Sequence, residues 1–154
     1  MPQHTETRRM PYRADQMYDL VADVENYPEF LPWTAAARIR SNEDKGDHTL
    51  MLADLIISFR VFRERFTSQV RLFEDDRRIE TEYVDGPFKR MKSIWQFREI
   101  EDNTACEVTF DVDFEFRNAI LRAAAGVFFN DAMQRIVRAF ERRAEVLYGG
   151  STGT

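Results

Sequence analysis

The feature that most constrains the fold is a segment of strict alternation that ends in an abrupt change of period. In CEVTFDVDFEF, residues 106–116, six apolar residues alternate with five polar ones. Successive side chains of a strand point to opposite faces, so this segment predicts a strand with one dry face and one wet face. The dry face carries Cys106, Val108, Phe110, Val112, Phe114 and Phe116.

Immediately afterwards, from about Asn118 to Tyr148, apolar residues recur at helical spacing. The double glycine 149–150 indicates where this helix ends. The predicted apolar stripe consists of Phe129, Met133, Ile136, Val137, Phe140, Ala144 and Leu147. A sheet that is apolar on one face needs a cover, and this helix is the one predicted element large enough to provide it.

The rest of the chain predicts a short helix and further strands. HTETRRM favours a short edge strand, and DQMYDLVADV has the spacing of a helix. Short turn signals (EDKGD, EDDR, VDGP and EDN) then separate long strand-like segments, which predicts an antiparallel meander. We therefore expect an α+β fold with six or seven antiparallel strands. It should form a single domain over residues 1–150, with 151–154 as a disordered tail.

An aromatic loop separates the short helix from the strands. YPEFLPWT, residues 27–34, contains three aromatic residues, a leucine and two prolines. Two prolines exclude a regular helix interior or a central strand, so the segment should be irregular and lie at the surface. Apolar loops of this kind suit a pocket mouth, a lid or an edge that touches a membrane.

Charge and cysteine content narrow the class of protein. The net charge of −5 argues against general nucleic-acid binding. Residues 117–148 nevertheless carry six arginines against three acids, a net +3, so the other residues carry −8. This segment is where an anionic partner could dock. A single cysteine, no apolar run long enough to span a membrane and no signal-like N-terminus lead us to expect a cytoplasmic protein.

Catalytic and metal-binding patterns are weak. The two histidines are His4, near the terminus, and His48, in a predicted turn, and Cys106 should be a buried structural residue. The sequence has no phosphate loop, GxSxG, HExxH or CxxC motif. Asp54 interrupts the apolar segment LADLIISF. Its carboxylate could contact a ligand in a cavity, but a solvent-facing or edge position is favoured.

Three motifs together resemble a known family. YPEFLPW after a short helix, GPFKRM followed by Trp95 and Phe97, and AFERRAEVLYG at the end are similar to the coenzyme Q-binding START-domain family. That family lies within the polyketide cyclase/dehydrase and lipid-transport superfamily and includes the ribosome association toxin RatA. The resemblance extends from about Thr5 to Gly150. It implies a helix-grip fold, in which an antiparallel sheet wraps around a long C-terminal helix and leaves a hydrophobic tunnel.

The resemblance also implies a function and a site. It implies non-enzymatic binding of ubiquinone as a ligand, without a further cofactor, and support for its delivery to the respiratory chain. Partners would include respiratory-chain components and, transiently, the surface of the inner membrane. The implied ligand-binding residues are Tyr27, Phe30, Leu31, Pro32 and Trp33 at the mouth, Gly86, Pro87 and Phe88 at a second rim, Met91, Trp95 and Phe97 on the wall, Phe110 on the last strand, and Phe129, Met133 and Phe140 on the helix.

Two alternatives remain open at this point. The same family implies an interaction with the large ribosomal subunit, and the basic C-terminal segment would favour it, although the acidic total would not. A small-molecule enzyme of the cyclase type rests on superfamily membership alone, and the lack of an obvious acid/base pair argues against it.

Overall fold

The computed structural model describes residues 3–59 and 62–149, and within them the chain forms an α+β fold. The elements in order are β1 Gln3–Met10, α1 Ala14–Ala22, a 3₁₀ turn Val24–Glu29, β2 Thr34–Asp44, β3 Thr49–Phe59, β4 Phe62–Phe73, β5 Arg78–Asp85, β6 Phe88–Ile100, β7 Ala105–Phe116 and α2 Ala119–Ala144. The predicted fold class, with its antiparallel sheet and long final helix, is confirmed. The predicted tail, residues 151–154, lies outside the described residues.

Seven strands form one sheet in the order β1-β7-β6-β5-β4-β3-β2, and each adjacent pair is antiparallel. β2 to β7 therefore form the predicted meander. β1 is the predicted edge strand, and it pairs with β7 rather than with its neighbour in sequence. Because β1 and β2 lie at opposite edges, α1 and the aromatic loop must cross between them.

The alternation in β7 has the predicted register. Cys106, Val108 and Val112 are buried, whereas Asp111 is exposed. One residue of the predicted wet face departs from the pattern. Glu115 is buried, because the Arg90 guanidinium donates a hydrogen bond to its carboxylate at 2.9 Å and Arg122 lies 3.6 Å away. A carboxylate with such partners keeps its charge compensated without reaching water.

α2 begins where the sequence predicts, because Asn118 caps it. The Asn118 side chain accepts a hydrogen bond from the Ile120 N–H at 2.7 Å. The regular helix ends at Ala144 and continues as a wider π turn to Gly149, while Gly150 lies outside the described residues. The wider turn changes the register of the predicted stripe, so Leu147 is exposed rather than packed.

Close packing of α2 is clearest in its C-terminal half. Phe140 and Ala144 are buried, and the Arg8 guanidinium of β1 donates a hydrogen bond to the Glu141 carboxylate at 3.3 Å. In the N-terminal half, Ile120 is 79% exposed and Val127 is 76% exposed. Among the side chains that the structure describes, those of the C-terminal half therefore fix the helix to the rest of the fold.

The predicted structural role of Cys106 is consistent with its surroundings. The thiol is fully buried in the core below α1, where Met17 and Leu20 of that helix are buried. Burial raises the pKa of Cys106 to about 11, so the reactive thiolate is scarce at neutral pH.

Gly86 in the β5–β6 turn is required by both its backbone and its surroundings, and its replacement is our first prediction. It has φ +143°, and a Cβ placed there would lie 2.6 Å from the Phe66 Cβ and 3.0 Å from the Arg65 carbonyl oxygen. Gly86→Ala should therefore lower the free energy of unfolding by about 2–4 kcal/mol, from strain and overpacking together. Urea unfolding measures this change.

Two other glycines provide controls. Gly46 has φ +96° but open space, so Gly46→Ala should carry the backbone cost alone, about 1–2 kcal/mol. Gly126 lies in α2 with open space, so Gly126→Ala should stabilise by about 0.5–1 kcal/mol. Equal effects of the Gly86 and Gly46 variants would contradict the proposed clash.

Candidate functional site

An apolar cavity of about 330 Å³ lies between the inner face of the sheet and α2. α2 contributes Ala132, Met133, Ile136 and Phe140 to its wall, so this part of the helix covers the cavity without filling it. Its lining includes Leu31, Trp33, Ala53, Leu55, Ile57, Phe66, Val70, Ile79, Phe88, Met91, Trp95, Phe110, Val112, Phe114, Phe116, Ala132, Met133, Ile136 and Phe140. Such a lining suits an apolar ligand.

The start of the aromatic loop is anchored to α2 by ring contacts. Tyr27 and Phe30 both meet the Phe140 ring edge to face, at centroid distances of 5.6 and 5.4 Å. The Tyr27 hydroxyl donates a hydrogen bond to the Val21 carbonyl at 2.5 Å, and burial raises the pKa of Tyr27 above its ordinary range. The segment is more ordered than predicted: it begins with a 3₁₀ turn that includes Pro28.

The end of the loop closes over the cavity. Leu31, Pro32 and Trp33 all line it, and the Trp33 carbonyl accepts a hydrogen bond from the Ser58 N–H at 2.8 Å. Trp33 has φ +63°, a left-handed conformation that is uncommon for a non-glycine residue. The loop is thus fixed to α2 at one end and to β3 at the other, with Leu31, Pro32 and Trp33 toward the cavity.

Most of the predicted site residues line the cavity together. The exceptions lie at different places in the fold. Phe97 faces inward but lies under α1, where it meets Tyr18 edge to face at 5.9 Å, so its predicted place on the wall is wrong. Gly86 and Pro87 shape the turn without lining the cavity, and Phe30 lies on the outer side of the loop. The Phe129 side chain lies outside the described residues.

Sequence reasoning missed the contribution of β3, β4 and β5. Ala53, Leu55 and Ile57 line the cavity from β3, and Phe66 and Val70 line it from β4. Alternation could have identified the β4 residues, but LADLIISF is apolar on both faces, so its inner face could not be read. Ser68, Thr81 and Ser93, polar residues on the inner face, were not predicted either.

Asp54 corrects a prediction. It is 7% exposed and lies on β3, an interior strand of the sheet, so the solvent-facing or edge position is wrong. The alternative contact with a ligand is not observed either, because the cavity is lined by its neighbours Ala53 and Leu55. The Thr67 hydroxyl donates to the Asp54 carboxylate at 2.5 Å, and Arg40 lies 3.7 Å from it. These partners compensate the buried charge on the outer face.

A second concave surface, the basic groove, lies between the outer side of the loop and α2. It has a volume of about 700 Å³ and is lined by Pro28, Glu29, Phe30, Leu31, Pro32, Asp131, Arg135, Arg138, Ala139, Arg142, Arg143 and Val146. Two of its arginines have acidic neighbours: Arg135 pairs with Asp131 at 3.0 Å, and Arg143 lies 3.8 Å from Glu29. Arg138 and Arg142 are exposed. Loop residues Leu31 and Pro32 belong to both surfaces.

The cavity offers little for acid–base chemistry. Among its described lining residues, Tyr27 is the one that titrates, and its hydroxyl is already bonded to a backbone carbonyl. His4 and His48 lie elsewhere, paired with Glu6 and Asp47. In the described part of the chain, no three His, Cys, Asp or Glu side chains are grouped to hold a metal ion.

The helix-grip fold and its cavity define a START-like protein, and comparison with known proteins agrees. The family described as polyketide cyclase / dehydrase and lipid transport matches residues 10–141, and the chain belongs to that family. The START-superfamily protein of Mycobacterium smegmatis has a TM-score of 0.76 at 18% identity, covering 94% of this chain and 98% of that one. That similarity supports the fold.

Relatives with higher sequence identity include both kinds of protein that the motifs resemble, a ribosome association toxin and a coenzyme Q-binding protein. Ribosome association toxin RatA of Rickettsia prowazekii is 36% identical over 142 residues, 90% of this chain and 93% of the relative. Coenzyme Q-binding protein COQ10 homolog B of Xenopus laevis is 30% identical over 150 residues, 96% of this chain and 59% of that protein. The 18 kDa protein CC1736 of Caulobacter crescentus has a TM-score of 0.78 at 34% identity, covering 97% of this chain and 99% of that one.

Proposed function

We propose that this protein is a non-enzymatic carrier that holds ubiquinone, or a related isoprenoid lipid, in the apolar cavity and supports its delivery to the respiratory chain. The observation that carries the proposal is the cavity itself, about 330 Å³ with an apolar and aromatic wall. Protein interiors are close-packed and contain few voids larger than a water molecule, so a cavity of this volume indicates a binding site. The coenzyme Q-binding relative supports the choice of ligand.

The energetics of extraction fit a carrier. An isoprenoid tail in a membrane is already surrounded by hydrocarbon, so its transfer into the cavity exchanges one apolar environment for another. Transfer should therefore be close to balance, which permits release as well as uptake. Ligand pockets commonly measure roughly 300–1,000 Å³, and this one lies near the lower end. It accommodates a ring and a short part of the tail, while a longer tail would remain in the membrane.

The aromatic loop supplies the contact with the membrane in this proposal. Trp33 lines the cavity and is partly exposed, and tryptophan is well suited to the boundary between headgroups and hydrocarbon. No helix among the described residues combines the length and the apolar character that crossing a bilayer requires. Contact would therefore be peripheral and transient, through the loop.

Filling the cavity tests the proposal directly. Ala132 faces the cavity from α2, so Ala132→Phe should occupy ligand volume and lower the affinity for a short-tailed ubiquinone by more than about tenfold, ~1.4 kcal/mol. Ala123→Phe is the matched control, since it makes the same change at an exposed position of the same helix. Isothermal titration calorimetry on both variants gives the comparison. If wild type and Ala132→Phe bind equally, the cavity is not the binding site.

The loop has a separate test in which stability and transfer are measured together. Trp33→Ala should slow ubiquinone transfer between vesicles while lowering the free energy of unfolding by only about 1–2 kcal/mol, because the side chain is partly exposed. Phe97→Ala is the contrast: this buried ring lies off the cavity, so its loss should cost about 3–5 kcal/mol and leave transfer unchanged while the protein is folded. Normal transfer by Trp33→Ala would show that the loop does not control ligand transfer. Destabilisation equal to that of Phe97→Ala would show that Trp33 is a core residue.

A second candidate function is association with the large ribosomal subunit. The basic groove favours it, as does the similarity to ribosome association toxin RatA. Exposed arginines could contact phosphates, and the acidic remainder of the chain would confine such a contact to this surface. A cyclase-type enzyme is not favoured by the geometry, because the described lining of the cavity offers no titratable group except Tyr27, whose hydroxyl is already bonded.

If the basic groove binds the large subunit, reversing charge in the groove should affect ribosome binding without affecting ligand binding in the cavity. Arg138→Glu combined with Arg142→Glu should abolish cosedimentation with large subunits and leave ubiquinone affinity unchanged. In the wild type, binding should weaken steeply with salt, and each lost phosphate contact should reduce that slope by about 1. Arg63→Glu with Arg65→Glu, the same charge change on exposed residues of β4, is the control. Absence of wild-type cosedimentation at low salt would remove this candidate.

A further inference from the structure

Besides Tyr27 and Thr34, whose hydroxyls donate to backbone carbonyls, three hydroxyl groups on the sheet interrupt the apolar lining of the cavity. Ser68 on β4, Thr81 on β5 and Ser93 on β6 all line it, on three adjacent strands. Ser68 is 5% exposed and Ser93 is also buried. Alanine or valine would fit the same strand positions without placing a polar atom there. The hydroxyls therefore need an explanation that packing alone does not provide.

Their hydrogen bonds leave donors available. Thr81 and Ser93 are directly opposite each other, and their hydroxyls share one hydrogen bond. Two hydroxyls carry two hydrogens, so one hydrogen of this pair remains free to donate. The Ser68 Oγ is buried and has no hydrogen-bond partner among the described residues. The cavity wall thus offers two O–H donors.

The sheet register brings these donors close together. Thr81 is opposite Val70, and Ser68 is two residues along the same strand from Val70. Ser68 and Thr81 are therefore diagonal neighbours on one face, at a backbone separation of about 7–8 Å. One ring that carries oxygens at several positions could accept hydrogen bonds from both. Burying a hydroxyl without a partner is unfavourable, and a ligand oxygen would supply the missing partner.

We infer that Ser68, Thr81 and Ser93 form a polar subsite that binds the carbonyl or ether oxygens of a ring head group inside the cavity. The inference rests on the proposed carrier function and adds the chemistry of its ligand: an amphiphile whose head group accepts hydrogen bonds and whose tail is hydrocarbon. An apolar lipid without such oxygens would leave the donors unpaired.

Aromatic side chains lie on either side of the hydroxyls, where they could contact a bound ring. Trp95 and Phe110, with centroids 4.2 Å apart, flank them toward one end of the cavity. Phe88 and Phe114, 5.8 Å apart, flank them toward the other end. A planar ring can contact aromatic faces there while its oxygens meet the hydroxyls.

The test compares two ligands that share a tail, one with oxygens on its ring and one without. One is ubiquinone with a two-isoprene tail, and the other is geranylbenzene, which has the same tail on a ring without oxygens. Wild type should bind ubiquinone more tightly. Ser68→Ala, Thr81→Val and Ser93→Ala should each lower ubiquinone affinity by about 3- to 10-fold, the range expected for one hydrogen bond, and leave geranylbenzene affinity within about twofold. Calorimetric titration measures both.

The chain offers a matched control. Thr7 and Thr109 form a similar cross-strand hydroxyl pair, 3.3 Å apart, on the outer face of β1 and β7. Thr109→Val makes the same change as Thr81→Val, away from the cavity, and should alter neither affinity. Ser68→Ala should also leave the thermal midpoint unchanged or higher, since the hydroxyl that it removes has no hydrogen-bond partner in the described part of the chain.

The outcomes separate this inference from the proposed function. If wild type binds both ligands equally and the variants match it, the polar subsite is overturned while the carrier function stands. If the variants lose affinity for both ligands alike, the hydroxyls serve the structure and the subsite is again overturned. If wild type binds neither ligand, the carrier function fails, and the subsite fails with it.

Discussion

The ring of Phe140 meets three other aromatic rings, and the position of α2 depends on this contact. Tyr27 and Phe30 approach it from the loop, and Trp95 approaches from β6 with its centroid 5.1 Å away. One side chain thus ties together the helix, the loop and the sheet. These contacts lie in the C-terminal half of α2, beside the cavity that Tyr27, Trp95 and Phe140 help to line. The same rings therefore fix the helix and form part of the cavity wall.

The features that the sequence predicts well are those governed by periodicity. The alternation of residues 106–116 predicts β7 and its dry face, because a strand with one solvated face must alternate. Helical spacing predicts α2 in the same way. The loop is conspicuous because prolines and aromatic residues seldom occur together on a solvated turn. In each case a local rule decides the outcome.

The predictions from sequence are wrong where the contacts of a residue depend on its position along the sheet as well as on the face that it occupies. Trp95 and Phe97 point to the same side of β6, but only Trp95 reaches the cavity, because α1 covers the end of the sheet where Phe97 lies. Asp54 was misplaced because burial on the outer face depends on Thr67 and Arg40, which are remote in sequence. Ser68 was missed because a serine in a strand gives no indication of which face it occupies. Each error reflects long-range packing that periodicity does not encode.

The cavity and the basic groove share part of their walls, because Leu31 and Pro32 line both. A displacement of these residues on the cavity side would therefore also change the groove, where the Arg143 guanidinium lies 5.2 Å from the centre of the Phe30 ring. Both surfaces are built from the same loop and the same helix. Overall sequence identity therefore does not distinguish the two candidate functions. The distinction depends on a few side chains. Hydroxyls inside the cavity matter only to a ligand with oxygens, and exposed arginines on α2 matter only to an anionic partner.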